Sequence, residues 1–404
     1  MGETFRRYWL PALLSEELPE NDGPPVRVRM LGEDLVAFRD STGKVGLVSA
    51  YCPHRRAPMF FGRNEECGLR CVYHGWKFDA SGACVDMPSE PPDSLFKTKV
   101  KIEAYPTWER GGLVWTHMGP PEHRPEPPNY ELLRVPDTHR FVCKTFEECN
   151  YLQALEGGLD STHSSILHTR NGSDLTFLSQ YERIIPQVEV RKTNYGYVFS
   201  GTRTVKDQKW ARISQYIMPT MHLRGTVQQV FRNDVEQPTM DGHVWVPIDD
   251  YNTWVYNFTY SYFPAAPLSR EYAEAIEELQ GRGKGEITSD YRPIRNRTNE
   301  YMIDRAWQKN GSFTGIKGIN TQDFALQESM EPIVDRTKEH LGSIDQPIIM
   351  ARQLLLEATQ EVESGRLPRG ADPKTHQHVR AADDFVAPDV DWQDALKEQL
   401  LALY

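Results

Sequence analysis

No apolar run in this chain approaches the ~20 residues needed to cross a bilayer, so no membrane-spanning helix is expected. Positive charge is also in short supply: 46 Lys and Arg stand against 57 Asp and Glu, a formal net charge of -11. Nucleic-acid binding and docking on an anionic membrane both need a cationic surplus, and the balance argues against both. The N-terminus MGETFRRYWL lacks the long apolar stretch of a secretory signal, and Arg6 sits where a myristoylation motif needs Ser or Thr. A cytoplasmic location is expected. Six cysteines in 404 residues do not make a disulfide framework, and Cys67, Cys84, Cys143 and Cys149 read as free thiols. No G-x-G-x-x-G follows a strand and no four-cysteine ferredoxin pattern occurs, so nicotinamide oxidation must take place on another protein.

With 39% hydrophobic and 11% aromatic residues, this is a folded chain with length for two or three domains. Tyr8 to Leu18 reads as one or two helical turns. From Val26 to about Met118, runs such as VRVRML, LVAFRD and GGLVWTH, punctuated at Ser41-Thr42-Gly43 and Ser81-Gly82, predict small antiparallel β structure. The proline-rich segment from Gly119 to Pro128 is the expected linker, giving domains 1–125 and 126–404. The second opens with a helical stretch over roughly Phe146 to Leu167. Strand-like runs follow (QVEVRKT, YGYVFSGTRTV, ARISQYIMP, GTVQQVF, HVWVPI, TWVYNFTYSYF), then helices around Tyr272–Leu279, Met350–Glu363 and Trp392–Leu403. The expected class is α+β, with helices packed on an antiparallel sheet.

Two short ligand pairs stand out. Cys52-Pro53-His54 and Cys71-Val72-Tyr73-His74 are separated by sixteen residues, each where a hairpin loop is expected. Two thiolates and two imidazoles suit a Rieske [2Fe–2S] centre, with Cys on one iron and His on the other. A structural zinc site takes the same ligands, but zinc usually pairs Cys with Cys and His with His. Here each loop carries one of each.

A second constellation is Asp160-Ser-Thr-His163-Ser-Ser-Ile-Leu-His168. Asp160 and His163 are i, i+3, so the carboxylate can accept a hydrogen bond from a metal-bound imidazole. His163 and His168 are five apart, about 140° round a helix, and reach one metal only if the helix is broken there. Two histidines and a carboxylate form the facial triad of non-haem Fe(II) oxygenases. The same residues on an exposed helix face would simply be solvated; the preceding cluster motif favours the metal. Spacing leaves the carboxylate open among Asp304, Asp323, Glu328 and Glu331. Glu156, one helical repeat before His163, is either a support for the metal site or a salt-bridging residue.

Together these motifs resemble the oxygenase (α) subunit of Rieske ring-hydroxylating oxygenases over essentially the whole chain. Gly318-Ile-Asn-Thr-Gln-Asp323-Phe-Ala-Leu-Gln-Glu-Ser-Met330 and Asp335-Arg-Thr-Lys-Glu-His-Leu-Gly342 resemble the phthalate dioxygenase branch. The resemblance implies a helix-grip catalytic domain, Asp323 as the third ligand of a mononuclear Fe(II), and O2 as co-substrate. It also implies NADH oxidised by a separate reductase carrying flavin and a plant-type [2Fe–2S] centre, and a homotrimer or stacked pair of trimers. In that assembly Asp160 would bridge His74 of a neighbouring subunit to His163. The implied substrate is a small aromatic carboxylate of the phthalate, chlorobenzoate or phenoxybenzoate kind, dihydroxylated on the ring. O-demethylation of a methoxylated aromatic acid is one alternative, and an electron carrier without oxygen chemistry another. Arg170, Arg203, Arg212 and Arg224 are candidates to bind the carboxylate, and Tyr256, Phe258, Tyr260, Tyr262 and Phe263 to line the pocket. Glu331 departs from the branch, whose members tend to carry Gly there.

Overall fold

The computed structural model describes residues 2–169, 184–225 and 239–404. Contacts divide the chain into two compact units, Met1–Pro127 and Pro128–Tyr404. Among the described residues no helix is long and apolar enough to cross a membrane.

The first unit is three small antiparallel sheets. Strands β1 (Trp9–Leu14), β10 (Thr107–Arg110) and β11 (Leu113–His117) form one, in the order β1-β11-β10. The helical turns expected over Tyr8–Leu18 are therefore an edge strand followed by a short 3-10 turn, Ser15–Glu17. Pro11 explains the difference: it disfavours a helix interior but is tolerated on an edge, and the register with β11 shifts between Pro11 and Leu13. The second sheet is β2 (Val26–Met30), β3 (Glu33–Arg39), β4 (Val45–Ser49) and β9 (Ala104–Tyr105). The third, which carries the second cysteine loop, is β5 (Arg63–Glu65), β6 (Gly68–Arg70), β7 (Lys77–Phe78) and β8 (Cys84–Asp86). Val36, Phe38, Met59, Leu69, Trp76 and Phe78 pack with Cys52 and Cys71 into one core.

The second unit is built on one large antiparallel sheet. Its strands are β12 (Arg140–Glu147), β13 (Gln187–Lys192), β14 (Gly196–Val205), β15 (Gln208–Ile217), β16 (Met221–Gly225), β17 (Thr239–Pro247), β18 (Thr253–Ser261) and β19 (Ala382–Val386). They run in the order β12-β18-β17-β16-β15-β14-β13, with β19 paired to β15. Of the run GTVQQVF only Gly225 is in a described strand; the rest lies outside the described residues. Among the described residues four longer helices accompany the sheet: α1 (Tyr151–Leu159), α2 (Arg270–Gln280), α3 (Ile319–Gln327) and α4 (Gln346–Glu363). The helix expected over Trp392–Leu403 runs only from Trp392 to Ala395, because the chain turns back and Leu401 bridges Val379.

Register decides what each face of the sheet carries. Tyr197, Tyr216, His222, His243, Asn257 and Cys143 are successive cross-strand partners, so they form one row on one face. Tyr197 Oη donates to the Pro347 carbonyl in α4 at 2.7 Å. Trp245, two residues beyond His243, lies so close to α1 that a Cβ on Gly158 would sit 2.2 Å from its ring. That row therefore faces the helices. Tyr256, Phe258 and Tyr260 alternate with Asn257 and point to the opposite face, so they do not line a pocket beside the helices. Phe263 is half exposed beyond the strand.

Candidate metal centres

Cys52 and Cys71 are held by two loops of the same design. Arg56 N–H donates to Cys52 O and Cys52 N–H to Ala57 O, both at 2.9 Å. In the other loop Gly75 N–H donates to Cys71 O at 2.9 Å and Cys71 N–H to Trp76 O at 2.8 Å. The turn needs a left-handed residue at its fourth position after Cys, and both loops have one: Arg56 at φ 63° and Gly75 at φ 79°. The thiols are buried, and burial together with the nearby Cys71 pushes Cys52 up to about 11. His54 and His74 lie on the outer side with ring centroids 4.4 Å apart, and His54 stacks on Trp76 at 4.4 Å. Two buried sulfurs inside and two imidazoles at the surface fit a Rieske cluster. The histidine edges, beside exposed Val72 and Tyr73, are where an electron would enter or leave.

The second centre lies at the end of α1. Asn150 caps this helix, accepting from Leu152 N–H at 3.0 Å, and the backbone turns extended at Asp160. The helical stretch expected over Phe146–Leu167 is thus shorter: Phe146 and Glu147 end β12, and a 3-10 turn, His163–Ser165, follows the break. The break is what lets histidines five apart converge. His163 Nε2 and His168 Nε2 are 3.2 Å apart, and Asp323 Oδ1, from α3, lies 3.5 and 3.4 Å from them. Ligands about 2.1 Å from one metal would be separated by about 3.0 Å at right angles and about 3.4 Å at the tetrahedral angle. The three atoms form one face of such a polyhedron, so the residues fit a metal ion with its other side open. Among the described residues this is the one group of three or more His, Cys, Asp or Glu whose ligand atoms all lie within 4.8 Å of one another.

Electrostatics favour a cation there. Burial disfavours charge on His163, yet hydrogen bonds and charge from Asp160 and Asp323 outweigh it and raise its pKa to about 10. Burial alone would raise Asp323, but His168 and His163 hold it below its ordinary value. Each imidazole faces an acceptor on its other nitrogen, within hydrogen-bond reach for His168 and just beyond it for His163. Asp160 Oδ2 lies 3.6 Å from His163 Nδ1, and Asp160 Oδ1 accepts Thr162 N–H at 2.7 Å and His163 N–H at 3.2 Å. Gln322 Oε1 accepts from His168 Nδ1 at 2.8 Å. Sequence reading missed Gln322, whose only signal was its place beside Asp323.

The other carboxylates separate cleanly. Glu328 is buried but bonded to Glu148 N–H and the Tyr301 hydroxyl, and Asp304 caps the helical turn at Arg305. Glu331 takes φ 77°, the left-handed region that favours glycine, and its carbonyl accepts from Gln153 Nε2 at 2.8 Å. Glu156 proves to be a salt-bridging residue. It pairs with Arg352 at 2.6 Å and Arg336 at 2.8 Å, and both arginines also hold Glu339, tying α1 to α4.

Three of the four candidate arginines lie on the helix-facing side, and each is engaged. Arg203 is buried and donates to Ile184 O at 2.9 Å and to Ser165 Oγ at 3.2 Å, pinning the His163 turn. Arg212 pairs with Asp383 at 2.9 Å, and Arg224 meets Asp241 with two bonds of 2.9 Å. Arg170 lies outside the described residues. Polar groups that sequence reading did not single out share this face. His222 is buried, with no hydrogen-bond partner on either ring nitrogen among the described residues, and burial holds it neutral; His243 Nδ1 meets Asn257 Oδ1 at 2.7 Å.

Comparisons with known proteins give the family. Residues 8–106 match the Rieske [2Fe-2S] domain family, and residues 116–400 the family described as LigXa C-terminal domain like. The chain is 37% identical to a phthalate 4,5-dioxygenase oxygenase subunit of Pseudomonas putida, covering 100% of this chain and 92% of that one. It is 36% identical to a 3-chlorobenzoate-3,4-dioxygenase oxygenase subunit of Comamonas testosteroni, over 100% and 95%. In fold it is similar to the QL mutant of NdmA of Pseudomonas putida CBB5 (TM-score 0.65, 19% identity, 96% of this chain and 99% of that one). The chain belongs to the oxygenase subunits of the Rieske non-haem-iron oxygenases, in the branch of the phthalate and chlorobenzoate dioxygenases.

Proposed function

We propose that the chain dihydroxylates a small aromatic carboxylate of the phthalate, chlorobenzoate or phenoxybenzoate kind. The convergence of His163, His168 and Asp323 into one open ligand face carries this reading. Cys52, His54, Cys71 and His74 would hold the cluster, and His163, His168 and Asp323 the mononuclear iron. When bound, the first supplies single electrons and the second activates oxygen beside the substrate. The protein would act in the cytoplasm with a separate NADH-dependent reductase, as a trimer or stacked pair of trimers. Asp160 would connect His163 to His74 of the next subunit.

The residues themselves orient and select. Asp160 and Gln322 fix the two imidazoles from behind, which keeps both Nε2 atoms turned to one point. Because Arg203, Arg212 and Arg224 are engaged, substrate polar groups would meet His222 and His243 on the facing row, whose neutral rings can donate or accept.

The test is turnover by holoenzyme and reductase on phthalate isomers, halobenzoates and vanillate-like acids. A cis-diol from one aromatic acid is expected. Formaldehyde from a methoxylated acid would instead assign O-demethylation. A chain holding only about two irons, with no product from any acid, would be an electron carrier.

A further inference from the structure

Asn320, one turn before Asp323 on α3, bonds two charged side chains with its amide. Its Nδ2 donates to Asp323 Oδ2 at 3.2 Å, and its Oδ1 accepts from Arg282 Nη1. A guanidinium can only donate, so Arg282 decides which end of the amide turns to Asp323. Arg282 is itself fixed just beyond the end of α2, with a side chain 5% exposed. It meets Glu277 with two bonds, Nε to Oε2 at 2.8 Å and Nη2 to Oε1 at 2.7 Å. Cys143 Sγ, from β12, donates to the same Oε2 at 3.1 Å. A line of hydrogen bonds therefore runs from the sheet through Glu277, Arg282 and Asn320 to the carboxylate of the triad.

Two glycines bring the helix ends together. Gly281, at φ 84°, ends α2, and Gly318, at φ 90°, precedes α3. A Cβ on Gly318 would lie 2.6 Å from the Gly281 Cα, and one on Gly281 3.0 Å from the Gly318 Cα. Both positions need glycine's backbone freedom and its lack of a side chain. This close approach sets Arg282 against Asn320.

These contacts divide the Asp323 carboxylate. Its Oδ1 faces His163 Nε2 at 3.5 Å and His168 Nε2 at 3.4 Å, whereas its Oδ2 is taken by Asn320. A carboxylate that ligates through both oxygens closes one more position on a metal than a carboxylate that ligates through one. We propose that Asn320, locked by Arg282, is a positioning residue that confines Asp323 to single-oxygen ligation and so keeps one more position beside the triad open to oxygen. This rests on the reading of His163, His168 and Asp323 as an iron site.

Asn320→Leu in the holoenzyme tests this, because leucine keeps the size and removes both hydrogen bonds. Nitric oxide is the probe: it takes an open position on Fe(II) and gives a paramagnetic adduct that is resolved beside the oxidised, diamagnetic cluster. With Fe(II) saturating the site, the variant is expected to bind nitric oxide about 10-fold more weakly, the scale on which such outer contacts act. The symmetry of the adduct's paramagnetic resonance signal should change as well. Arg282→Lys keeps a charge for Glu277 but not the fork that also reaches Asn320. It should move both readouts in the same direction, by less. A merely structural Asn320 predicts a lower melting temperature, with wild-type nitric oxide affinity and signal in the iron-loaded fraction; that result overturns the proposal. Asn320 is partly exposed, so Asn320→Ala gives the same reading should leucine not fit. Failure of both variants to fold would make the residue structural and overturn the proposal too. Wild-type behaviour in Arg282→Lys beside a shifted Asn320→Leu overturns the lock by Arg282. If the unaltered protein binds no Fe(II) at the triad, the iron-site reading fails instead. If it binds Fe(II) and nitric oxide but forms no product from any acid, the oxygenase reading fails and the positioning role is judged on the nitric oxide data alone.

Discussion

His168 Nδ1 lies 2.8 Å from Gln322 Oε1, and Gln322 Nε2 donates at the same distance to the Ile316 carbonyl. The amide is thereby locked with its oxygen toward the ring. An amide oxygen can only accept, so His168 carries its proton on Nδ1 and offers the Nε2 lone pair to a metal. His163 is treated differently, with the Asp160 carboxylate at 3.6 Å behind it.

Replacing Gln322 removes the lock. Gln322→Leu is expected to weaken Fe(II) binding about 10–100-fold, the usual cost of losing such a support, while the cluster's visible spectrum stays unchanged. Metal titration followed by an optical or paramagnetic probe of the mononuclear site checks this. Wild-type affinity in the variant would show that the ring is oriented by something else.

Glu331 sits at φ 77°, in the left-handed region that favours glycine. A left-handed conformation costs a non-glycine residue about 1–2 kcal/mol, and glycine gives back part of that through its freer unfolded chain. Glu331→Gly should therefore stabilise the protein by about 0.5–1 kcal/mol, read as a shift in denaturant midpoint with unchanged slope. A lower midpoint would mean that the Glu331 side chain contributes more than its backbone costs.

The buried Arg203 holds Ile184 O and Ser165 Oγ with separate arms of its guanidinium. Lysine can keep the charge but not the fork. Arg203→Lys is expected to cost about 2–3 kcal/mol, from buried acceptors left unsatisfied, and to lower iron occupancy through the loosened His163 turn. KM for the aromatic acid, measured on the iron-loaded fraction, should stay within about twofold. A large rise in KM with full iron occupancy would make Arg203 a substrate ligand after all.

What could be read in the residues, and what could not, follows the range of the interactions involved. The cysteine–histidine pairs are local, each closed by hydrogen bonds within its own loop, so their spacing was legible. The break after α1 was legible too, because two histidines five apart cannot otherwise share a metal. Asp323 was not: it lies 155 residues from His168, and only resemblance separated it from Asp304, Glu328 and Glu331. The arginines were judged by type, whereas their roles depend on Asp383, Asp241 and the backbone at Ile184, partners that only the folded sheet supplies. The aromatics of β18 were placed by composition, and a strand period of two put them on the wrong face. Tyr8–Leu18 was read by its apolar content, where Pro11 was the better guide.

Asp160 gives the sharpest functional prediction. Burial would raise its pKa, but His163 and the backbone N–H groups of Thr162 and His163 hold it below its ordinary value, so it is a carboxylate at neutral pH. Asp160→Asn keeps the size and can keep both backbone bonds through its amide oxygen. What it loses is the charge facing His163 and an acceptor that can serve a second imidazole at the same time. Both metals should therefore load normally, with the cluster reducible by the reductase and Fe(II) held at the triad. Product formation should fall by at least about 100-fold, since electrons would reach the cluster and stop there. Rapid-mixing spectra should show a cluster that reduces and then fails to reoxidise in the presence of substrate and oxygen. A variant that reoxidises and forms product at the normal rate would rule out Asp160 as the connection between the two centres.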